Sequence, residues 1–313
     1  MAENGMAEGA ELMAGAARAA GIAPPAIVQP TDHEVRLGGL RFHYLDWGNA
    51  HLPHVVLLHG GSLTAHTWDM AALLLRDRYH LVALDQRGHG DSDWTPLVED
   101  DSGALMIEDT RAFLDHLGYD HLTLVGMSMG GINAFQHAAH HPDGLDALVI
   151  VDVGPELMRA GLIEMEQFAQ ATETLARFED FLERATAFNP ERPVEHLRYS
   201  LTHALKQTAE GWTWKNDRRE RPKPDEAART AGLEVRAAAL WAAVRAIETP
   251  TLLVRGAVSK VLSDEHAQAV VAAMAHAELV EIPRARHTVQ GDNPADFASA
   301  LDAFLQRTLP AGA

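Results

Sequence analysis

Gly126-Met127-Ser128-Met129-Gly130-Gly131 is the stretch on which the reading of this chain turns. It follows the apolar run His121-Leu122-Thr123-Leu124-Val125 and leads into a helix-compatible segment from Ile132 to His140. The pattern is strand, sharp turn, helix, with a serine at the tip of the turn. In that setting G-x-S-x-G folds as a nucleophile elbow and lifts a serine hydroxyl into an open cleft on a strained backbone. The flanking glycines lack the Cβ atoms that would collide in so tight a turn.

The rest of the chain alternates in the same way. Glu34 to Leu37 and Leu40 to Trp47 read as a hairpin turned by Gly38-Gly39. Val55 to Leu58 and His80 to Leu84 are short apolar runs of the kind buried on both faces of a sheet. A helix is expected from about Trp68 to Asp77, and Met106, Thr110, Phe113, Leu114 and Leu117 recur at helical spacing. Asp146 to Val151 makes a sixth strand. From Pro155 to Ile247 the strand rhythm stops. That stretch is almost wholly helix-like, punctuated by Pro190, Pro193 and Arg221-Pro222-Lys223-Pro224. The rhythm returns with a seventh strand, Thr251 to Val254, a helix from Asp264 to Ala275, the strand Glu278 to Ile282 and a loop holding His287. The last helix has Asn293 as cap, Pro294 at its first position and an apolar stripe of Phe297, Leu301, Phe304 and Leu305. Such alternation with short connections predicts an α/β fold with a mostly parallel central sheet flanked by helices.

At 313 residues the chain holds one large α/β domain with an insertion. The core is expected over 31–154 and 248–313, with 155–247 as a helical lid. Residues 1–30 read as a mobile extension, with partial order against the body as the alternative. A loose helix from Glu11 to Ala20 is broken by Gly21, Pro24, Pro25 and Pro30, and no basic start precedes an apolar core as in a secretory leader. No apolar run reaches the length of a membrane span. A net charge of −18 disfavours a nucleic-acid or anionic-membrane partner. With no cysteine, disulfide and thiolate chemistry are excluded, which fits a cytoplasmic location. Oligomeric state is not written in the sequence.

With Ser128, His59-Gly60-Gly61, Asp85-Gln86-Arg87-Gly88-His89-Gly90 and His287 in hand, the chain resembles the α/β-hydrolase fold superfamily from about residue 33 to residue 307. In that superfamily a helical cap is commonly inserted between the sixth and seventh strands, where 155–247 lie here. The resemblance implies that Ser128 is the nucleophile. It implies that His287, singled out among 18 histidines by its place between the last strand and the last helix, is the general base. It also implies an oxyanion hole built from the backbone N–H groups of Gly61 and Met129, with Gly60 or Ser62 as alternatives to Gly61.

The chain departs from the family pattern at the acid. After the seventh strand it reads Arg255-Gly256-Ala257-Val258-Ser259-Lys260, with no carboxylate where one is usual. Asp152, at the end of the sixth strand and 24 residues after Ser128, is the expected replacement. A subset of the superfamily resembles the chain in this. Asp264 is the runner-up, although Ser263-Asp264-Glu265 reads well as a helix start. Asp292 is expected to brace the loop after His287.

Other polar residues read as structural or peripheral. Asp85 and Arg87 should fix the loop after the fourth strand by pairing with each other or with backbone. His89 and Trp94 lie toward the cleft mouth. His137, His140 and His141 read as solvent-facing rather than metal-ligating, and Lys215 to Arg221 as a solvated face. Trp68, Trp212 and Trp214, with Met158, Leu162, Met165 and Phe168, supply the apolar lid and pocket walls.

Together these residues predict a serine hydrolase that needs no metal or organic cofactor. Its expected substrate is a small to medium apolar ester or lactone. Serine at the elbow disfavours the epoxide-hydrolase and haloalkane-dehalogenase branches, which use an aspartate nucleophile. Carbon–carbon bond hydrolysis and cofactor-free perhydrolysis share the same triad and stay open. So does a ligand-binding protein with a vestigial site, which the missing acid after the seventh strand motivates.

Overall fold

Successive residues in a buried strand face opposite sides of the sheet, so an all-apolar strand must be covered on both. The computed structural model shows how this chain meets that demand. It describes residues 2–96, 102–158, 161, 163, 174–219 and 226–309. Eight strands form one sheet: β1 (Thr31–Leu37), β2 (Leu40–Asp46), β3 (His54–Leu58), β4 (His80–Leu84), β5 (Leu122–Met127), β6 (Leu145–Val151), β9 (Thr251–Gly256) and β10 (Ala277–Ile282). Their spatial order is β1-β2-β4-β3-β5-β6-β9-β10. β2 runs antiparallel to both β1 and β4; the pairs from β4 through β10 are parallel.

The alternation sorts side chains to two cores. Leu57, Val125, Val149, Leu252 and Val254 face one side. There they meet α2 (Asp69–Leu75) and the stripe Phe297, Leu301, Phe304 and Leu305 of α10 (Pro294–Thr308). Val56, Leu124, Leu148 and Leu253 face the other. They pack on α3 (Ser102–Leu117), α4 (Met129–His140) and α8 (Asp264–Ala273). Burying each such side chain is worth roughly 1.5–3 kcal/mol. Asn293 caps α10 by accepting from the Asp296 N–H at 3.2 Å, with Pro294 first in the helix as expected.

The inserted region differs from expectation in two ways. It contains α5 (Phe178–Phe188) and α6 (Val194–Ala204), but then an antiparallel hairpin, β7 (Leu205–Thr208) and β8 (Gly211–Trp214). The hairpin is short and half-exposed, so it carries no buried run for the sequence to show. Phe181, Leu182, Leu197, Leu201, Leu205 and Trp214 give this lid a core of its own. The second difference is α7 (Glu226–Ala246), which buries Leu240, Ala243 and Val244 against the body core beside α4. The lid therefore ends before α7 rather than at residue 247.

The N-terminal stretch is a correction too. In place of a mobile extension, α1 (Ala2–Ala19) packs on α6, with Met13, Ala16 and Ala17 buried. Gly21 does end it, with φ of 72°. The burying face is mostly alanine, a weak hydrophobic signal in sequence. Among the described residues no helix is long and apolar enough to cross a membrane.

Candidate active site

Three parallel strands, β5, β6 and β9, end side by side and present the site. The β5–α4 turn is tight because glycine allows it. A Cβ on Gly126 would overlap the Gly130 carbonyl, and a Cβ on Gly130 would overlap the Leu58 and His59 carbonyls. Ser128 sits at φ 52°, ψ −115°, a region costly for an L-residue. Its N–H donates to the Val151 carbonyl at 3.0 Å, and its own carbonyl accepts from Ile132 at 2.9 Å. Stitched to β6 on one side and α4 on the other, the strained turn has no easy way to relax.

The Ser128 hydroxyl lies 2.9 Å from His287 Nε2, and His287 Nδ1 lies 2.8 Å from Asp152 Oδ2. A carboxylate only accepts, so Nδ1 carries the proton and Nε2 is the lone-pair nitrogen facing the serine. Asp152 is fully buried and has φ of 52°. Its Oδ1 accepts from the Gly256 N–H at 3.0 Å, and its Oδ2 accepts also from the Ser259 hydroxyl at 2.5 Å. Ser259 was missed by the sequence reading. It stands three residues past Gly256, inside the stretch that lacks the usual acid. Asp264, the runner-up, is exposed in the first turn of α8 and accepts from Gln268.

Asp292 braces the His287 loop as expected, accepting from the Arg286 N–H at 2.9 Å. It also reaches the lid. Asn189 donates to it at 2.8 Å and Arg192 at 2.6 and 3.0 Å, an ion pair largely screened from solvent. A cavity of about 230 Å³ lies beside His287, walled in part by Phe188, Asn189, Val258, Val261 and Thr288.

On the far side of Ser128, Met129 is the first residue of α4, a position whose N–H has no partner within the helix. Gly61 is exposed and Gly60 buried in the facing loop. His59 holds that loop. Its Nδ1–H donates to the Gly60 carbonyl at 2.8 Å, and its Nε2 accepts from the Gln86 N–H at 3.0 Å. Gln86 also donates to the His59 carbonyl at 2.6 Å and is itself oriented by Asn133 at 2.7 Å. Burial lowers His59 to about 4, so it is neutral in this role. Ser62 has φ of 63° and its hydroxyl faces Asn216 of the lid at 3.4 Å.

The remaining expectations divide. Asp85 and Arg87 do not pair with each other. Asp85 accepts from the backbone of Ala65 and Asp91 and from His43, while Arg87 makes a two-pronged bond to Asp109 of α3. His137 is buried rather than solvent-facing, because α4 turns that side toward the core; His140 is exposed. The run from Lys215 is a latch rather than a solvated face. Lys215 pairs with Asp91, the Asp217 N–H donates to Gly88 and Arg219 donates to the Thr95 carbonyl. Trp94 joins that latch through its N–H to the Lys215 carbonyl at 3.1 Å, and His89 bonds the Arg87 carbonyl. Trp68 is fully buried against Phe297, and Trp212 and Trp214 pack edge-on against Phe178 and Phe181 in the lid. All three indoles thus make packing contacts. Met158 is half-buried and tied to Val261; Leu162, Met165 and Phe168 lie outside the described residues.

The model of the alpha/beta hydrolase fold family matches residues 53–294. The chain belongs to that family. It is 34% identical over 260 residues to Esterase Rv0045c of Mycobacterium tuberculosis, covering 80% of this chain and 81% of that protein. The crystal structure of that esterase aligns with a TM-score of 0.74 at 29% identity, over 94% of this chain and 96% of the other. The 3-hydroxybutyrate-oligomer hydrolase of Cupriavidus necator is 28% identical, covering 84% of this chain and 92% of its own length. Family and relatives together support a hydrolase that cleaves esters.

Proposed function

We propose that the protein is a serine carboxylesterase or lactonase acting on small to medium apolar substrates, with Ser128, His287 and Asp152 as its triad. The observation that carries this reading is the unbroken relay of hydrogen bonds from Ser128 to His287 to Asp152, at 2.9 and 2.8 Å. Ser128 Oγ attacks the acyl carbonyl as His287 Nε2 takes its proton. Asp152 stabilises the imidazolium that results, and the oxyanion is received by the N–H groups of Met129 and Gly61. His287 then protonates the departing alcohol, leaving an acyl-enzyme on Ser128. Water, deprotonated by the same imidazole, releases the acid.

The esterase relatives favour an ester over a carbon–carbon bond or a peracid, and the hydrogen-bonded triad favours catalysis over a vestigial binding site. A cysteine-free sequence supports a cytoplasmic enzyme. Hydrolysis of p-nitrophenyl butyrate tests the reading. Ser128→Ala should lose turnover and labelling by a fluorophosphonate. Asp152→Asn should fall by roughly 10³- to 10⁴-fold in kcat with folding intact. An Asp152→Asn enzyme of near wild-type rate would remove Asp152 from the triad.

A further inference from the structure

Away from the triad, a second cluster of metal-binding side chains spans the seam between body and lid. His66 lies in the 3-10 turn Ala65–Trp68, Asp69 opens α2, and His203 comes from α6 of the lid. One ligand atom from each lies within 4.8 Å of the other two. Asp69 is fully buried. Its Oδ2 accepts from His66 Nδ1 at 2.7 Å and from the Tyr199 hydroxyl at 2.5 Å. Its Oδ1 is buried with no hydrogen-bond partner among the described residues. A buried carboxylate oxygen left bare is costly, because desolvation is not repaid by any donor. A cation at this point would repay it.

We infer that His66, Asp69 and His203 form a binding site for one divalent transition-metal ion that bridges the lid to the body. Two imidazoles and one carboxylate suit Zn²⁺, Ni²⁺ or Co²⁺, whereas Ca²⁺ and Mg²⁺ take oxygen ligands. The two rings now stack, with centroids 3.5 Å apart and planes at 25°. Imidazole lone pairs lie in the ring plane, so ligation turns the rings out of the stack. The His66–Asp69 hydrogen bond gives way to metal–ligand bonds, with neutral His66 binding through one ring nitrogen and keeping its proton on the other. The Tyr199 hydroxyl stays on the carboxylate and orients it, as outer hydrogen bonds do for metal-bound carboxylates. The ion would fix α6 to the turn that begins three residues past Ser62. This site is separate from the triad, and the inference does not rest on the proposed esterase activity.

Calorimetric titration of Zn²⁺ into chelator-treated protein tests it, alongside His203→Phe, Asp69→Asn and His141→Ala. His203→Phe keeps an aromatic ring in the stack and removes a ligand. His141→Ala removes the competing pair on α4, where the His137 and His141 rings lie 5.3 Å apart. Wild type and His141→Ala should each take up one equivalent and unfold at a higher temperature with Zn²⁺. His203→Phe and Asp69→Asn should bind more than about tenfold more weakly, with no thermal shift. Wild-type affinity in His203→Phe, loss of binding in His141→Ala, or no stoichiometric uptake by wild type would overturn the assignment. Should one ligand variant fail to fold, the other decides.

Discussion

Ser259 donates to the carboxylate oxygen of Asp152 that also accepts from His287. It occupies the stretch where the family pattern leads one to expect the acid itself, and supplies a hydroxyl to an acid brought from the neighbouring strand. We propose that it positions that carboxylate. Ser259→Ala should lower kcat for p-nitrophenyl butyrate about 5-fold, the rate equivalent of about 1 kcal/mol, and leave KM unchanged. Ser259→Thr, which keeps the hydroxyl, should restore most of the rate. A Ser259→Ala enzyme equal to wild type in kcat would deny it that role. Ser128 and His287 were legible in the sequence because a local motif and a chain position mark them. Ser259 was not, since a lone serine in a loop resembles any other and only its partner across 107 residues singles it out.

At the scale of elements, the lid is joined to the body by charged clamps. Arg192 and Asn189, in the lid, hold Asp292 beneath the His287 loop. Removing one partner of a buried ion pair leaves an uncompensated charge and costs about 3–5 kcal/mol. Arg192→Met should therefore lower the midpoint of thermal unfolding and slow ester turnover, because the loop carrying His287 loses its brace. Thermal melts of the two proteins measure the first effect and steady-state kinetics the second. Neither clamp was visible in sequence. The run from Lys215 read as a solvated face because its charges are mixed, and its partners Asp91, Gly88 and Thr95 lie more than a hundred residues away. The β7–β8 hairpin escaped for a different reason: four-residue strands with half-exposed side chains carry too little periodicity to register.

Across the whole molecule, buried histidines set the response to pH. Burial lowers His59 and His137 to about 4 and His196 to about 3. Each is neutral in the folded chain and takes up a proton near 6.5 when unfolded, so the stability it contributes is lost as pH falls below 6.5. His43 has the opposite sign. Burial alone would lower it, but hydrogen bonds to Asp32 and Asp85 raise it to about 9. Its contribution is complete below 6.5 and fades as pH rises through 9. Stability should peak near neutrality and fall more steeply on the acid side. Urea unfolding at pH 5, 7 and 9 checks this, and equal stability at pH 5 and 7 would contradict it.

The sequence by itself determined the alternation of strands and helices, the elbow at Ser128, the place of His287 and the cap of the last helix. Those are local facts, carried by periodicity, by glycine where the turn is tightest and by order along the chain. Only the tertiary structure decided that Asp152 reaches His287. The reason is that β5, β6 and β9 are neighbours in a parallel sheet whose ends converge. It likewise decided that α1 docks on α6, that α7 belongs to the body core and that His66, Asp69 and His203 meet across the lid seam. Each of these depends on which surfaces bury one another, a free energy summed over residues distant in the chain and absent from any one stretch of it.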